Sequence, residues 1–262
     1  MPIKLAATYT WRDHHLPPHP DPSVPATWGP WLTEAKRCGL DGFMLSDGPD
    51  WYGTRENNGA FLSRLNGTGL TACLMCEQFQ DTGEASWKYT AEDVATYLIR
   101  IEGLLQHPSH TRISGLPLLF VYGVKGPANL DIWGEGVRMA NDDYGVTIPI
   151  TFMETYDGWD KDRHAGLWLR WKYDPKTIGG YNQSAPAGHS VSVSLGYRNP
   201  ATGITEVPAN LTQFKSALKK AKASAALVAT VITWNEELEA PDKTALLFRP
   251  TYLRAMRDIW GA

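Results

Sequence analysis

The chain has 262 residues, 43% of them hydrophobic, which is enough to bury one large α/β core or two small ones. Its 25 basic and 28 acidic residues leave a formal charge of -3 with no long run of one sign, which argues against a nucleic-acid binder or a polybasic membrane anchor. No stretch approaches the ~20 apolar residues of a membrane span, so function belongs in a pocket.

Strand-type and helix-type segments alternate from end to end, the pattern of a parallel sheet with crossover helices. The first strand is predicted over residues 4–10, with no apolar leader and cleavage site before it. A Pro-rich loop (14–25) and a helix over 31–37 come next. The second strand covers 42–46, a helix 59–65 and the third strand 70–76. The long helix at 91–105 opens on Thr90-Ala-Glu-Asp93, which reads as a capping box. Strand four is placed at 117–122, a helix at 131–140, and strands five, six and seven at 147–153, 167–171 and 191–195. An amphipathic helix over 211–223, strand eight over 226–233 and a closing helix over 252–260 complete the chain. Eight strands give a single (β/α)8 barrel over residues 1–262, with little helix around strand six, so it is somewhat reduced around strands five to seven.

Barrels of this kind carry their chemistry at the carboxyl ends of the strands. Strand eight is an apolar run that stops at Thr233-Trp234-Asn235 and is followed at once by Glu236, Glu237 and Glu239. Two neighbouring carboxyl groups do not ionise equally easily, so one tends to stay protonated as an acid while the other serves as base or nucleophile. Glycoside hydrolysis needs that division of labour. The plainer alternative is a surface helix whose first turn favours negative charge. The ends of the other strands hold Asp13, His14 and His15, then Asp47, Glu77, Tyr122, Glu154, Asp174 and Tyr197. Any one of these is an ordinary loop residue, but their joint placement at one mouth is what a site requires. Glu154 competes with the Glu236/Glu239 pair, because a Glu on strand five could face one on strand eight across the mouth.

Other constellations carry less. Cys73 and Cys76 form a Cys-x-x-Cys inside a strand, where residues three apart point to opposite faces, so buried thiols are the reading rather than a metal or redox site. Three cysteines make no disulfide framework. His14, His15 and His19 fit no zinc spacing, and a polar loop in which His14 meets substrate is the simpler account. No phosphate loop, dinucleotide fingerprint or Ser-His-Asp order is present, so neither metal nor cofactor is expected.

Several motifs resemble glycoside hydrolase family 99, the endo-α-mannosidases, and the related family 71 α-1,3-glucanases. Thr233-Trp-Asn-Glu-Glu-Leu-Glu239 is similar to their Asn-Glu-x-x-Glu and Trp-Asn-Asp-x-x-Glu segments. His107-Pro-Ser-His-Thr-Arg-Ile-Ser-Gly-Leu-Pro117 is similar to the phrase that enters their fourth strand, and Leu40-Asp-Gly-Phe-Met-Leu-Ser46 and Gly196-Tyr197 to their second strand and post-seventh Gly-Tyr. In order and spacing the resemblance spans nearly the whole chain. It implies that Glu239 is the general acid and Glu236 the other carboxylate. Tyr197, Tyr122, Glu154, Asp47, Trp234, His14 and Glu77 are then candidate substrate-binding residues. The chain departs from family 99 at Leu238, where that family has a histidine, and at Ala240, where it has glycine.

The expected activity is hydrolysis of an α-linked oligosaccharide or polysaccharide, α-mannan-like or of the cell envelope, with no nucleic-acid or membrane partner. The alternative is a glycan-binding barrel without catalysis, such as a recognition component of a surface or virion assembly. With no signal peptide seen, the expected location is cytoplasmic or assembly-associated, unless a leader has been removed.

Overall fold

The computed structural model describes residues 2–10, 19–48, 52–77, 89–122, 127–154, 168–172, 189–198, 201–224, 227–235 and 240–261. Eight parallel strands form its centre: β1 (Ile3–Thr8), β2 (Gly42–Asp47), β3 (Thr71–Glu77), β5 (Leu116–Tyr122), β6 (Ile150–Glu154), β7 (Trp168–Lys172), β8 (His189–Val193) and β11 (Leu227–Thr233). Each pairs with its neighbour in chain order. The pairing of β1 with β11 closes the ring. The chain is therefore a closed α/β barrel.

Two short antiparallel additions escaped the sequence reading. β4 (Arg112–Ile113) folds back on the start of β5, and β9 (Tyr197–Arg198) pairs with β10 (Thr205–Val207). Segments of two or three residues are too short to show a period. Helices α1 (Trp28–Arg37), α2 (Tyr52–Arg64), α3 (Ala91–Leu105), α4 (Pro127–Tyr144), α5 (Leu211–Ala223) and α6 (Pro250–Trp260) are the six described. None of them is long and apolar enough to cross a membrane.

Strand alternation divides the core in two. Leu5, Met44, Cys73, Met75, Leu118, Phe120, Ala229 and Val231 fill the barrel. Ala6, Phe43, Leu45, Leu74, Cys76, Leu119, Val121 and Ile232 face outward and pack beneath the helices. The Cys-x-x-Cys is thus split between the two layers, and all three cysteines are free and buried. Burial raises each thiol well above its ordinary range, Cys38 to about 12.

The helices form where the sequence supplies both an apolar stripe and a cap. On α3, Val94, Tyr97, Leu98, Ile101 and Leu105 repeat at helical spacing and are buried. Its amino end is closed reciprocally, the Asp93 amide donating to Thr90 Oγ1 at 3.3 Å and the Thr90 amide to Asp93 Oδ2 at 2.8 Å. Asn210 caps α5 by accepting from the Gln213 amide at 3.0 Å. The last helix is tied to both ends of the chain: Arg257 donates to Glu34 on α1 at 2.9 and 2.5 Å, and the Trp260 indole to the Leu218 carbonyl on α5 at 3.0 Å.

His107–Pro117, one of the family-like phrases, has a structural role at the amino end of the barrel. The Ala72 amide donates to Ser109 O at 2.9 Å and the Thr111 amide to Ala72 O at 2.8 Å, so this stretch runs alongside β3. His110 is buried with its Nε2 2.9 Å from the Leu118 carbonyl, and desolvation lowers its pKa to about 4.

Helices α3 and α4 meet through Gly136. A Cβ there would lie 2.5 Å from Val94 Cβ and 2.7 Å from the Ala91 carbonyl. Alanine is the better helix former by about 1 kcal/mol, yet Gly136→Ala is expected to destabilise the protein by about 1–3 kcal/mol through overpacking. Urea unfolding would check this, and a variant as stable as wild type or more stable would show that the helices can move apart freely.

Candidate active site

The carboxyl mouth is lined by the residues that come after the barrel-filling ones at steps of two. Ala7, Ser46, Glu77, Tyr122 and Thr233 share the inward parity of Leu5, Met44, Met75, Phe120 and Val231. Glu77 is registered directly beside Tyr122, and Ala7 beside Thr233. The backbone position of Glu154 has the same parity as Ile150 and lies beside Trp171, which in turn neighbours Ser190. On β8, Ser190 and Ser192 alternate with the outward Val193 and are buried. Ser190 donates to the Ala229 carbonyl at 3.0 Å. The described inward positions toward the mouth thus include small and polar residues, Ala7, Ser46 and Thr233, together with Glu77 and Tyr122.

Three of the sequence-derived candidates, Glu77, Tyr122 and Glu154, thus fall at inward positions on the carboxyl rim. Asp47 and Trp234 lie on the other parity, with Leu45 and Ile232, behind the mouth rather than on its floor. Trp234 is fully buried under the helices, and its indole N–H finds no partner among the described residues. Tyr197 stands half-buried on the β9–β10 ribbon. Gly196 allows that placement: its φ is 147°, and a Cβ would meet Val207 O at 2.5 Å and Pro241 Cγ at 2.6 Å. Tyr197 therefore adjoins the segment that begins at Ala240. Glu236, Glu239 and His14 lie outside the described residues, as do Asp13, His15 and Asp174. His19 stacks on Phe248 with ring centres 3.9 Å apart.

A buried polar network supports the rim between β1, β2 and α2. Thr10 Oγ1 donates to Asn58 Oδ1 at 2.6 Å, Asn58 Nδ2 to the Ser46 carbonyl at 2.9 Å, and Asn57 Nδ2 to the Thr10 carbonyl at 2.9 Å. Arg55 donates to Gly48 O at 3.2 Å and stands 3.9 Å from Asp47 Oδ2. Asp47 is fully buried, with Tyr97 and Cys76 against it. Desolvation lifts its pKa to about 6, held back from a larger rise by the Arg55 charge and by the polar groups of Tyr97, Gly48 and Asn58 beside it. Sequence reading missed Arg55, Asn57 and Asn58, because the run Tyr52–Gly59 carries no apolar periodicity from which a helix could be read.

Among the described residues no three His, Cys, Asp or Glu side chains converge as a metal site. A cavity of about 370 Å³ does exist, but at the amino end of the barrel, lined by Lys4, Leu40, Asp41, Lys222 and Trp260. Lys4 there lies 3.9 Å from Asp41, and Lys222 donates to the Ile259 carbonyl. Its two cations are engaged, and it lies far from the strand ends that carry chemistry in such barrels.

No protein-family model matches the sequence, and no curated protein does. Solved structures do match. The glycoside hydrolase family 99 endo-α-mannosidase of Bacteroides thetaiotaomicron superposes with a TM-score of 0.71 at 16% identity, over 97% of this chain and 95% of that one. A second structure of that enzyme, in complex with bis-tris-propane, gives 0.64 at 16% identity over 98% and 97%. A broad-specificity endoglucanase of family 5 from Clostridium acetobutylicum gives 0.55 at 11% identity over 98% and 97%. At these identities the likeness establishes the fold: this chain has the barrel found in family 99 and family 5 glycoside hydrolases.

The Asp47 carboxyl makes a pH prediction. Its pKa is raised from 3.8 to about 6 in the folded state, so between those values the folded protein holds the proton more tightly than the unfolded chain. Stability from this group is full below about pH 4 and is lost as pH rises through about 6. His110, with its lowered pKa, acts in the opposite direction, so the test is the difference between wild type and Asp47→Asn. Wild type should lose stability relative to the variant by on the order of 3 kcal/mol between pH 4 and 7. Chemical unfolding across that range measures it, and parallel curves would show that Asp47 titrates normally.

Proposed function

We propose that this protein is a distant, family 99-like glycoside hydrolase, a single catalytic barrel over residues 1–262 that cleaves an α-linked oligosaccharide or polysaccharide without a cofactor. Glu239 protonates the departing glycosidic oxygen, and Glu236 acts as base or nucleophile. Glu77, Tyr122, Glu154, Tyr197 and His14 contact the sugar rings, while Asp47 and Trp234 support the rim from behind. What supports the reading is that Glu236-x-x-Glu239 is separated from the last residue of β11 by only two residues in the sequence, in a barrel that superposes over 97% of its length on an endo-α-mannosidase. The two carboxyl groups must then stand roughly 5–9.5 Å apart around one pocket, the lower end for a direct nucleophile and the upper for water activation. The proposed roles require Glu239 to carry the proton and Glu236 to be ionised when substrate binds.

Leu238 favours one second reading. It stands where family 99 has a histidine, and an aliphatic side chain gives no hydrogen bond to a sugar hydroxyl. A barrel that binds glycan without cutting it would tolerate that exchange.

Incubation with α-mannans, α-glucans and cell-envelope polysaccharides, with products read by mass, separates the two. Wild type is expected to release oligosaccharides, and Glu239→Gln to lower the rate by about 10²–10⁴-fold while keeping the glycan bound. Binding without cleavage by both proteins would establish the recognition module instead.

A further inference from the structure

The chain is tied to the barrel just before residue 236 and again just after residue 239. On the near side, Asn235 Nδ2 donates to the Tyr9 carbonyl at 2.8 Å while its Oδ1 accepts from the Tyr9 amide at 2.8 Å. Both halves of the side-chain amide are used on one backbone residue, reproducing the two-bond exchange of a strand pair. With the Trp234 amide donating to Ala7 O at 3.1 Å, the coupling of β11 to β1 continues two residues beyond Thr233. Asn235 is only 6% exposed, so its amide is committed to the fold rather than offered to a ligand.

On the far side, Ala240 and Pro241 are buried. The Arg249 guanidinium donates to Pro241 O at 2.5 Å and to Thr244 O at 2.9 Å, and pairs with Asp242. Asp242 has a left-handed φ of 53°, unusual for a residue other than glycine, and the Arg249 contact holds it there. The Leu247 amide then donates to the Trp234 carbonyl at 3.0 Å. The far clamp is in this way bonded back to the residue beside the near one.

We propose that Asn235 and Arg249 are positioning residues: they fix the two points between which the chain carries Glu236 and Glu239, and act on those residues through the backbone without touching substrate. This rests on the function proposed above. Misplacing a reacting group by about 1 Å costs on the order of 10²-fold in rate, whereas Glu77, Tyr122 and Glu154, which contact the sugar in that reading, lie on β3, β5 and β6, strands that neither clamp touches.

Asn235→Ala and Arg249→Leu are therefore expected to lower kcat by about 10- to 100-fold on the glycan that wild type cleaves, with KM within about threefold. Asn235→Asp, which keeps the acceptor for the Tyr9 amide, and Arg249→Lys, which keeps the charge without the fork, should fall between and serve if the first pair folds poorly. Hydrogen exchange read on the same proteins should show faster exchange at the Tyr9 and Leu247 amides with α5 unchanged. Unchanged exchange at those amides would overturn the clamps. Faster exchange with wild-type kcat, or a rise in KM at constant kcat, would overturn the positioning role. If wild type cleaves nothing in the panel, the enzyme reading fails by itself, and the exchange data still decide whether the two ends are clamped.

Discussion

Closing eight parallel strands into a ring gives every strand residue one of two destinations, the barrel interior or the layer under the helices, and two-residue alternation leaves no third. That constraint organises this molecule. Leu5, Met44, Met75, Phe120 and Val231 plug the interior, so the next inward position on each strand, Ala7, Ser46, Glu77, Tyr122 and Thr233, is lifted to the mouth whatever its chemistry. The same alternation sends Asp47 and Trp234 outward beneath the helices. A polar residue at a strand end is thus either a lining group or a buried support, and the parity of its strand decides which.

The buried supports arise from that geometry. Asp47 is placed where water does not reach, so its carboxyl must be met by protein groups, or its charge becomes costly. Arg55 and Asn58, both on α2, supply those groups. The first turns of α2 consequently bury polar side chains, and Asn57 and Asn58 bind backbone carbonyls at the ends of β1 and β2. A helix recruited for this work has no apolar face at its start. The rim gains a hydrogen-bonded frame joining β1, β2 and α2, and the raised pKa of Asp47 is the cost of that frame in desolvation.

The same alternation governs which features the sequence disclosed and which it withheld. Strands buried on both faces mostly read as apolar runs, and with the alternating Ser-Val pattern of β8 all eight were visible with boundaries displaced by a few residues. Helices with a stripe and a cap, 91–105 and 211–223, were legible to their ends. Helix α2 was read from Gly59 but begins at Tyr52, because its polar opening carries no period. Strand parity was hidden for a related reason. In Gly42–Asp47 both Phe43 and Met44 are apolar, so nothing in the sequence says whether Ser46 or Asp47 faces in. Only β8, with Ser190 and Ser192 alternating with Val191 and Val193, wrote its inward face into the chain. In the family-like phrases, the chemistry-bearing letters and the structural ones look alike in sequence. His110 and Asn235 are absorbed by backbone carbonyls and amides, and only those hydrogen bonds distinguish them from lining groups.

The junction of β11 with β1 is held beyond the end of its ladder. Where a ladder simply stops, the following loop has to fix where the next side chains sit. Here the ladder is prolonged by the Trp234 amide and the Asn235 side chain on one side, and the returning chain is bonded to Trp234 through Leu247 on the other. Arg249 adds the contacts that hold the return itself. Chemistry that depends on the spacing of two carboxyl groups is best served where the chain is fixed on both sides, since freedom at either end would spread that spacing over the range that separates one stereochemical course from the other. Glu154, at the end of β6, has inward parity, but no comparable double tie is seen beside it among the described residues. Under the proposed function, a segment tied on both sides suits bond-breaking, and the inward positions of Glu77, Tyr122 and Glu154 suit the holding of sugar rings.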